Sequence, residues 1–303
     1  MSQPRVDATR IRDHVVRLGE RHPPVDLASV DYSILDRAAV RARFEEPLEY
    51  MARVEMEVER NVLELAVLLP GVSETDRLFY ADVWGPQEEH HGILLDTLGQ
   101  ALGMPPAEPD LDGVPPRIRV LGALAHLPVV HEVIRLMYYL TGAATEKSAM
   151  LAYQSMSDGL EQMGETAIKR TVIDAIKVQE PGHFAFYRMS AQELVQRGAL
   201  APWQLHLTRF LRSRAFGLVG AKTREQKAGF GGVIVPLGLE EEIERHVRDI
   251  TRVETQLLWA DDQGMSVPPY ALAAFRDAAE LYREKALREG RVPGPRPVEM
   301  AAA

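Results

Sequence analysis

The chain has 303 residues, 46% of them apolar and 26% charged, a globular balance long enough to bury a sizeable core. A net charge of −9 with no basic arm argues against general nucleic-acid binding, and the absence of cysteine excludes disulfides, thiolate metal sites and a thiol nucleophile. Histidine and carboxylate are left as the strong metal ligands, a set suited to iron, manganese or zinc. There is no long apolar run and no apolar leader at the start. The expectation is therefore a cytoplasmic protein with no membrane partner.

Residues 1–30 are polar and broken at Pro23-Pro24, and read as an arm with one short helix at most. A helical pattern starts near Asp36 and meets Pro47, which is expected to open a new helix. Leu48, Met51, Val58, Val62, Ala66 and Leu69 then recur at helical spacing until Pro70-Gly71 stops them. Ser73 is the N-cap expected for a second helix, from Glu74 to Leu102. Five prolines and two glycines make 103–117 a loop, suited to the crossover between two helix hairpins. A third helix is expected from Val129 to Gly159, and a fourth from Gly164 to Gly198 with an interruption at Pro181-Gly182. Pro202–Gly217, Glu240–Ala260 and Pro269–Glu289 are helical in pattern, and Gly229–Gly238 (GFGGVIVPLG) is the only strand-like piece. The tail after Gly290 is rich in Pro and Ala and is expected to fray.

Glu-x-x-His occurs at Glu88/His91 and again at Glu180/His183, each pair projecting from one helix face. Two such pairs, with one Glu from each of two other helices, form the ligand set of a carboxylate-bridged di-metal site. Glu146 supplies one: it sits among Leu140, Ala143, Ala149, Met150 and Tyr153, where an uncompensated carboxylate would be costly. From Glu146 to Glu180 is 34 residues, and 33 residues before Glu88 lies Glu55, on the apolar stripe with Met51, Val58 and Val62. Glu59 is the fallback for that position. Glu57 and Glu64 point to the polar side and are expected to be solvated. An apolar substrate channel would run along Met51, Met56, Trp84, Met137, Tyr138 and Met150, and Trp84, Met150 and Tyr153 are its candidate pocket residues. Arg209, Arg212, Arg214, Lys222, Arg224 and Lys227 face a single Glu225, a segment that could dock an acidic carrier or be an ordinary solvated face.

These residues resemble the ferritin-like di-iron proteins, most closely the soluble acyl-carrier-protein desaturases. That family carries Trp-x-x-Glu-Glu-Asn-Arg-His-Gly, and Trp84, Glu88, His91 and Gly92 fall in its register. Its third-helix Gln-Glu-Arg-Ala-Thr is matched by Thr145-Glu146-Lys147-Ser148-Ala149, and its fourth-helix Asp-Glu-Lys-Arg-His by Gln179-Glu180-Pro181-Gly182-His183. The likeness covers residues 50–190. Ala149 stands where the family has threonine, which leaves any oxygen-handling hydroxyl to Ser148. Pro181 removes an N–H from the helix and implies a kink or π-type turn beside the site.

The resemblance implies an all-α, ferritin-like four-helix bundle with additional C-terminal helices. Its parts would be an arm (1–35), the bundle (36–200), a helical extension (201–290) and a tail (291–303). It further implies two ferrous ions, with manganese an alternative, at Glu55, Glu88, His91, Glu146, Glu180 and His183. Dioxygen, an apolar small-molecule or acyl-carrier substrate and an electron donor such as ferredoxin would be the partners, in a homodimer. A di-iron N-oxygenase or hydroxylase of specialised metabolism is the second enzyme reading, weakened by Ile176 where such enzymes often add a histidine. Iron storage or a non-redox metal-binding role is the third.

Overall fold

Helix starts follow local chemistry. Asp7 caps α1 (Ala8–Arg21) through the Arg10 amide, and Asp36 caps α2 (Arg37–Met56) through Ala39. After α3 (Val58–Leu68), Ser73 and Asp76 form a reciprocal capping box that opens α4 (Glu74–Arg77). A π-helical stretch, Leu78–Trp84, leads into α5 (Gly85–Ala101), and α6 (Pro116–Ala125) precedes the long α7 (Pro128–Gln162). The next rod is composite: α8 (Thr166–Ile168), a second π stretch (Lys169–Ile173), α9 (Asp174–Lys177) and α10 (Glu180–Gln196). Then come α11 (Pro202–Ala215), α12 (Arg224–Ile234), α13 (Ile243–Ile250), α14 (Arg252–Leu258) and α15 (Pro269–Arg288). This computed structural model describes residues 6–69, 71–112, 114, 116–260 and 265–294, and these are all-α, with no strand among them. Pro70 and most of the tail expected to fray lie outside the described residues.

Two antiparallel pairs make the central bundle. Arg41 of α2 reaches the Gly103 carbonyl just past α5 while Met56 packs on Gly92, so α2 and α5 run in opposite directions. On the other side Gly142 of α7 meets Tyr187 of α10 and Ser157 meets Asp174, giving α7 the reverse direction to its partner rod. At Gly142 a Cβ would lie 2.3 Å from the Tyr187 ring, so only glycine permits that approach. Apolar side chains form two clusters along the bundle, one around Phe44, Leu95, Met156 and Ile176, the other around Phe79, Leu136 and Phe186. Phe79 and Phe186 stack with ring centroids 3.7 Å apart.

Several sequence expectations need correction. Pro47 does not open a helix; it is buried inside α2, its fixed φ already helical and its neighbours Phe44, Leu48 and Met51 held in the core. The break falls at Glu57 instead. Glu57 is buried, not solvated: its carboxylate pairs with Arg53 and Arg60 and accepts the Asp110 amide at 3.2 Å. Glu64 is buried too, gripped by Lys222 Nζ at 2.7 and 2.8 Å. Residues 116–125, left unassigned by pattern, are helical as α6. The glycine-rich stretch expected to be strand-like forms α12 and the turns after it, because Gly231 lies against the Ala278 carbonyl of α15 and tertiary packing outweighs its β-branched residues. The N-terminal arm carries one helix that packs on the bundle. Ile11, Val15 and Leu18 of α1 are buried, and Leu18 sits against Gly182 of α10.

Three of the six cations in the basic run at 207–228 are paired within the fold. Arg212 is fully buried, donating to Glu254 at 2.6 and 3.0 Å and to Thr141 Oγ1 at 2.9 Å, so it ties α11 to α14 and α7. Lys222 is taken by Glu64 and Arg224 by Glu284. Among the described residues no helix is long and apolar enough to cross a membrane.

Candidate metal centre

Four helical rods each bring a carboxylate inward. Glu55 comes from the last turn of α2, Glu88 and His91 from the first turns of α5, Glu146 from the middle of α7, and Glu180 and His183 from the start of α10. All six are buried, none more than 9% exposed, and they lie between the two apolar clusters. Ligand atoms of Glu88, Glu146, Glu180 and His183 fall within 4.8 Å of one another, and so do those of Glu55, Glu88 and His91. Glu88 belongs to both groups. These two clusters could hold metal ions. Glu59, the fallback for the first-helix position, is exposed and takes no part.

Local backbone features aim these side chains. Gly85 donates its N–H to Tyr80 in the π stretch, and a Cβ there would lie 2.5 Å from that carbonyl oxygen. The wider turn adds a residue to the helix just before Glu88 and shifts its face. A π stretch also precedes the second Glu-x-x-His pair, and a turn at Val178–Gln179 follows it. Pro181 therefore sits in the first turn of α10, where its missing N–H costs little.

Two glutamines orient the histidines. His91 Nε2 donates to Gln179 Oε1 at 2.7 Å, and Gln179 Nε2 donates to the Pro23 carbonyl at 2.7 Å. His183 Nε2 donates to Gln87 Oε1 at 2.6 Å, and Gln87 in turn donates to the His22 carbonyl. Because a carbonyl can only accept, each amide must present its oxygen to the imidazole, which puts the proton on Nε2. Nδ1 of each ring is then free to take a proton or a metal. These nitrogens face the carboxylates: His183 Nδ1 lies 2.9 Å from Glu88 Oε1, and His91 Nδ1 lies 3.3 Å from Glu180 Oε1. Both Nδ1 atoms, both Glu180 oxygens and Glu88 Oε1 are buried with no hydrogen-bond partner. Such convergent lone pairs repel unless a cation or protons lie among them. Sequence reasoning missed the glutamines, although Gln-Glu-x-x-His stands twice in the chain, at 87–91 and 179–183. We predict that Gln179→Ala lowers metal affinity at His91 by about 10–100-fold. Titration calorimetry with a divalent ion would check this, and unchanged affinity would remove Gln179 from the site.

Protons take part when no cation is present. Burial, then the neighbouring Glu88 charge, pushes the Glu55 carboxyl well above the ordinary range, and burial with Glu88 and Glu180 does the same to Glu146. Burial raises Glu88 to about 8, partly offset by a hydrogen bond with Glu55. Burial would also raise Glu180, but the His183 and His91 imidazoles beside it outweigh that and hold it below the ordinary range. In the metal-free chain the raised carboxyls contribute stability below their unfolded values, and lose it as pH rises through about 8 for Glu88. Glu180 contributes in the opposite sense, losing its share as pH falls through its depressed value. Metal must displace the protons held by the other three. Affinity is therefore expected to rise as pH rises through the Glu88 value of about 8, with protons released into the buffer on loading. Calorimetry in buffers of different ionisation enthalpy would read that release, and none at pH 7 would contradict the assignment.

No protein-family model matches this chain, and no curated protein or solved structure gives a significant match.

A cavity of about 640 Å³ opens onto Glu55, Glu88 and Glu146. Its lining on α7 runs from Ile134 to Ala152, about 27 Å of helix, with Glu146 about two thirds of the way along. The walls are mostly apolar, with Met51, Trp84, Met137 and Tyr138 among them. Met56, Met150 and Tyr153 are not part of the lining. Tyr153 instead donates to Glu55 Oε1 at 2.7 Å, and Trp84 Nε1 donates to Glu146 Oε1 at 3.3 Å. Of the three candidate pocket residues, Trp84 lines the cavity, while Tyr153 is turned inward onto a carboxylate and Met150 lies outside the lining.

Proposed function

We propose that the chain is an oxygen-activating di-iron oxidoreductase with a ferritin-like bundle, acting on an apolar substrate such as an acyl chain. One observation carries the reading: five buried polar atoms, on Glu88, His91, Glu180 and His183, have no hydrogen-bond partner and converge beside an apolar cavity. Oxygen-rich donors with two imidazoles suit ferrous iron or manganese better than the closed nitrogen and sulfur sites typical of structural zinc. Glu55, Glu88 and His91 would hold one ion and Glu88, Glu146, Glu180 and His183 a second, with Glu88 common to both groups. A ferrous pair held there supplies two electrons together to dioxygen.

The residues of the chain do the rest. Gln87 and Gln179 hold each imidazole by its outer nitrogen, Tyr153 and Trp84 fix one oxygen each of Glu55 and Glu146, and the flanking apolar clusters exclude water. The cavity of about 640 Å³ has mostly apolar walls, which suit an apolar substrate. Its contact with three of the carboxylates favours substrate oxidation over iron storage. The test is anaerobic loading with ferrous iron followed by exposure to oxygen. The expected result is about two irons per chain and consumption of dioxygen by the iron pair. A chain that holds only zinc, or keeps its iron ferrous in air, would defeat the proposal.

A further inference from the structure

The outer face of α6 has the wrong polarity for a surface helix. Its inner side packs normally, with Ile118 and Ala125 buried and Gly122 so close to Val67 that a Cβ would lie 2.6 Å away. The side facing water should then be polar. Instead Val120, Leu121 and Leu124 on α6, and Leu127 and Val129 where it joins α7, are 44% to 61% exposed. Five of the fourteen large apolar side chains exposed among the described residues thus fall within ten positions, which makes this a patch rather than scatter. The patch continues inward, since Ile118 and Leu121 also line the cavity that reaches the carboxylates.

Charge narrows the choice of partner. Residues 114–131 contain Arg117, Arg119, His126 and His131 and no acid, on a chain whose net charge is −9. Arg119 is exposed at the edge of the patch, its Nε donating to the Val114 carbonyl at 3.0 Å. An exposed apolar face with exposed Arg119 and His126 beside it suits a helix lying in the headgroup region of an anionic lipid surface.

We infer that α6 and its junction with α7 dock the protein on anionic lipid, with the cavity mouth turned toward the bilayer so that an aliphatic substrate passes from lipid into the cavity. This is peripheral attachment and needs no membrane-spanning helix. The docking stands on the patch alone, while the delivery of substrate rests on the function proposed above. Of the six cations at 207–228 that could dock an acidic carrier, Arg212, Lys222 and Arg224 are paired within the fold.

Flotation of the full chain with vesicles tests the docking. Vesicles of phosphatidylcholine mixed equally with phosphatidylglycerol are expected to bind it at least about tenfold more tightly than phosphatidylcholine alone, an advantage that high salt removes. Leu124→Glu and Leu127→Glu should each weaken binding about tenfold or more, and Arg119→Glu about fivefold on the anionic vesicles only. Thermal melts of each variant confirm folding, which these exposed positions should leave intact. Failure of the folded wild-type chain to bind either vesicle overturns the inference, as does binding that Leu124→Glu and Leu127→Glu leave unchanged. A lipid-free dimer that these variants convert to monomer would assign the face to a second copy and overturn it too. Metal content measured on the same samples separates the two proposals: a chain that floats without metal refutes the di-iron reading alone, and one that holds two ions but ignores vesicles refutes only the docking.

Discussion

Glu88→Gln is expected to empty both halves of the metal centre, taking bound metal from about two ions per chain to near zero. The reason is its position in both ligand groups, where its carboxylate is the one shared donor. An amide keeps the shape but offers a neutral oxygen and an N–H, which cannot bridge two cations. His183→Ala touches one group only and should lose about half the metal. Stability should move the other way in the metal-free chain. Gln imitates the protonated acid that burial already favours, so at pH 8 the Glu88→Gln chain should melt no lower than wild type. Adding ion at about a hundredfold its dissociation constant should stabilise wild type by about 2.7 kcal/mol and the variant hardly at all. Elemental analysis after dialysis and paired melts read both effects. Retention of both ions by Glu88→Gln would show that Glu88 is no bridge.

Arg212→Ala is expected to destabilise the fold by about 3–5 kcal/mol, a large share of the stability of any domain. Arg212 is among the largest fully buried side chains, and its guanidinium satisfies Glu254 and Thr141 while lying 4.8 Å from the centre of the Phe216 ring. Removing it leaves Glu254, only 3% exposed, with Tyr270 as its remaining side-chain partner. Most of the loss should come from that stranded carboxylate rather than from the missing contacts. Glu254→Gln added to Arg212→Ala should therefore recover part of it. Urea denaturation of the two variants decides the matter: a loss below about 1 kcal/mol for Arg212→Ala would mean the pair is not structural.

How much of this could be read from the chain depends on whether the determinant is local. Ser73 and Asp36 announce helix starts because a side-chain oxygen three residues from an amide can cap it wherever the segment lies. The six candidate ligands could be chosen because Glu-x-x-His spacing fixes a helix face, and nearly equal separations of 33 and 34 residues across two hairpins bring Glu55 level with Glu88 and Glu146 with Glu180. Glu57 and Glu64 defeated the same reasoning. Helical phase placed them on the polar side, but Arg53, Arg60 and Lys222, the last from far along the chain, cover them. The GFGGVIVPLG segment failed for a similar reason, since its helix depends on Gly231 meeting the Ala278 carbonyl 47 residues away.

An all-α chain and six side chains able to meet in its interior are legible in the residues alone, because capping, periodicity and i,i+3 spacing are settled within a few positions. Which nitrogen of each histidine is free emerges only on packing, through Gln87 and Gln179 held by the His22 and Pro23 carbonyls. Packing also decides that Tyr153 turns onto Glu55 and that the exposed face of α6 is apolar. Those outcomes depend on which distant backbone and side-chain groups are left without partners once the helices pack, and no local rule carries that information.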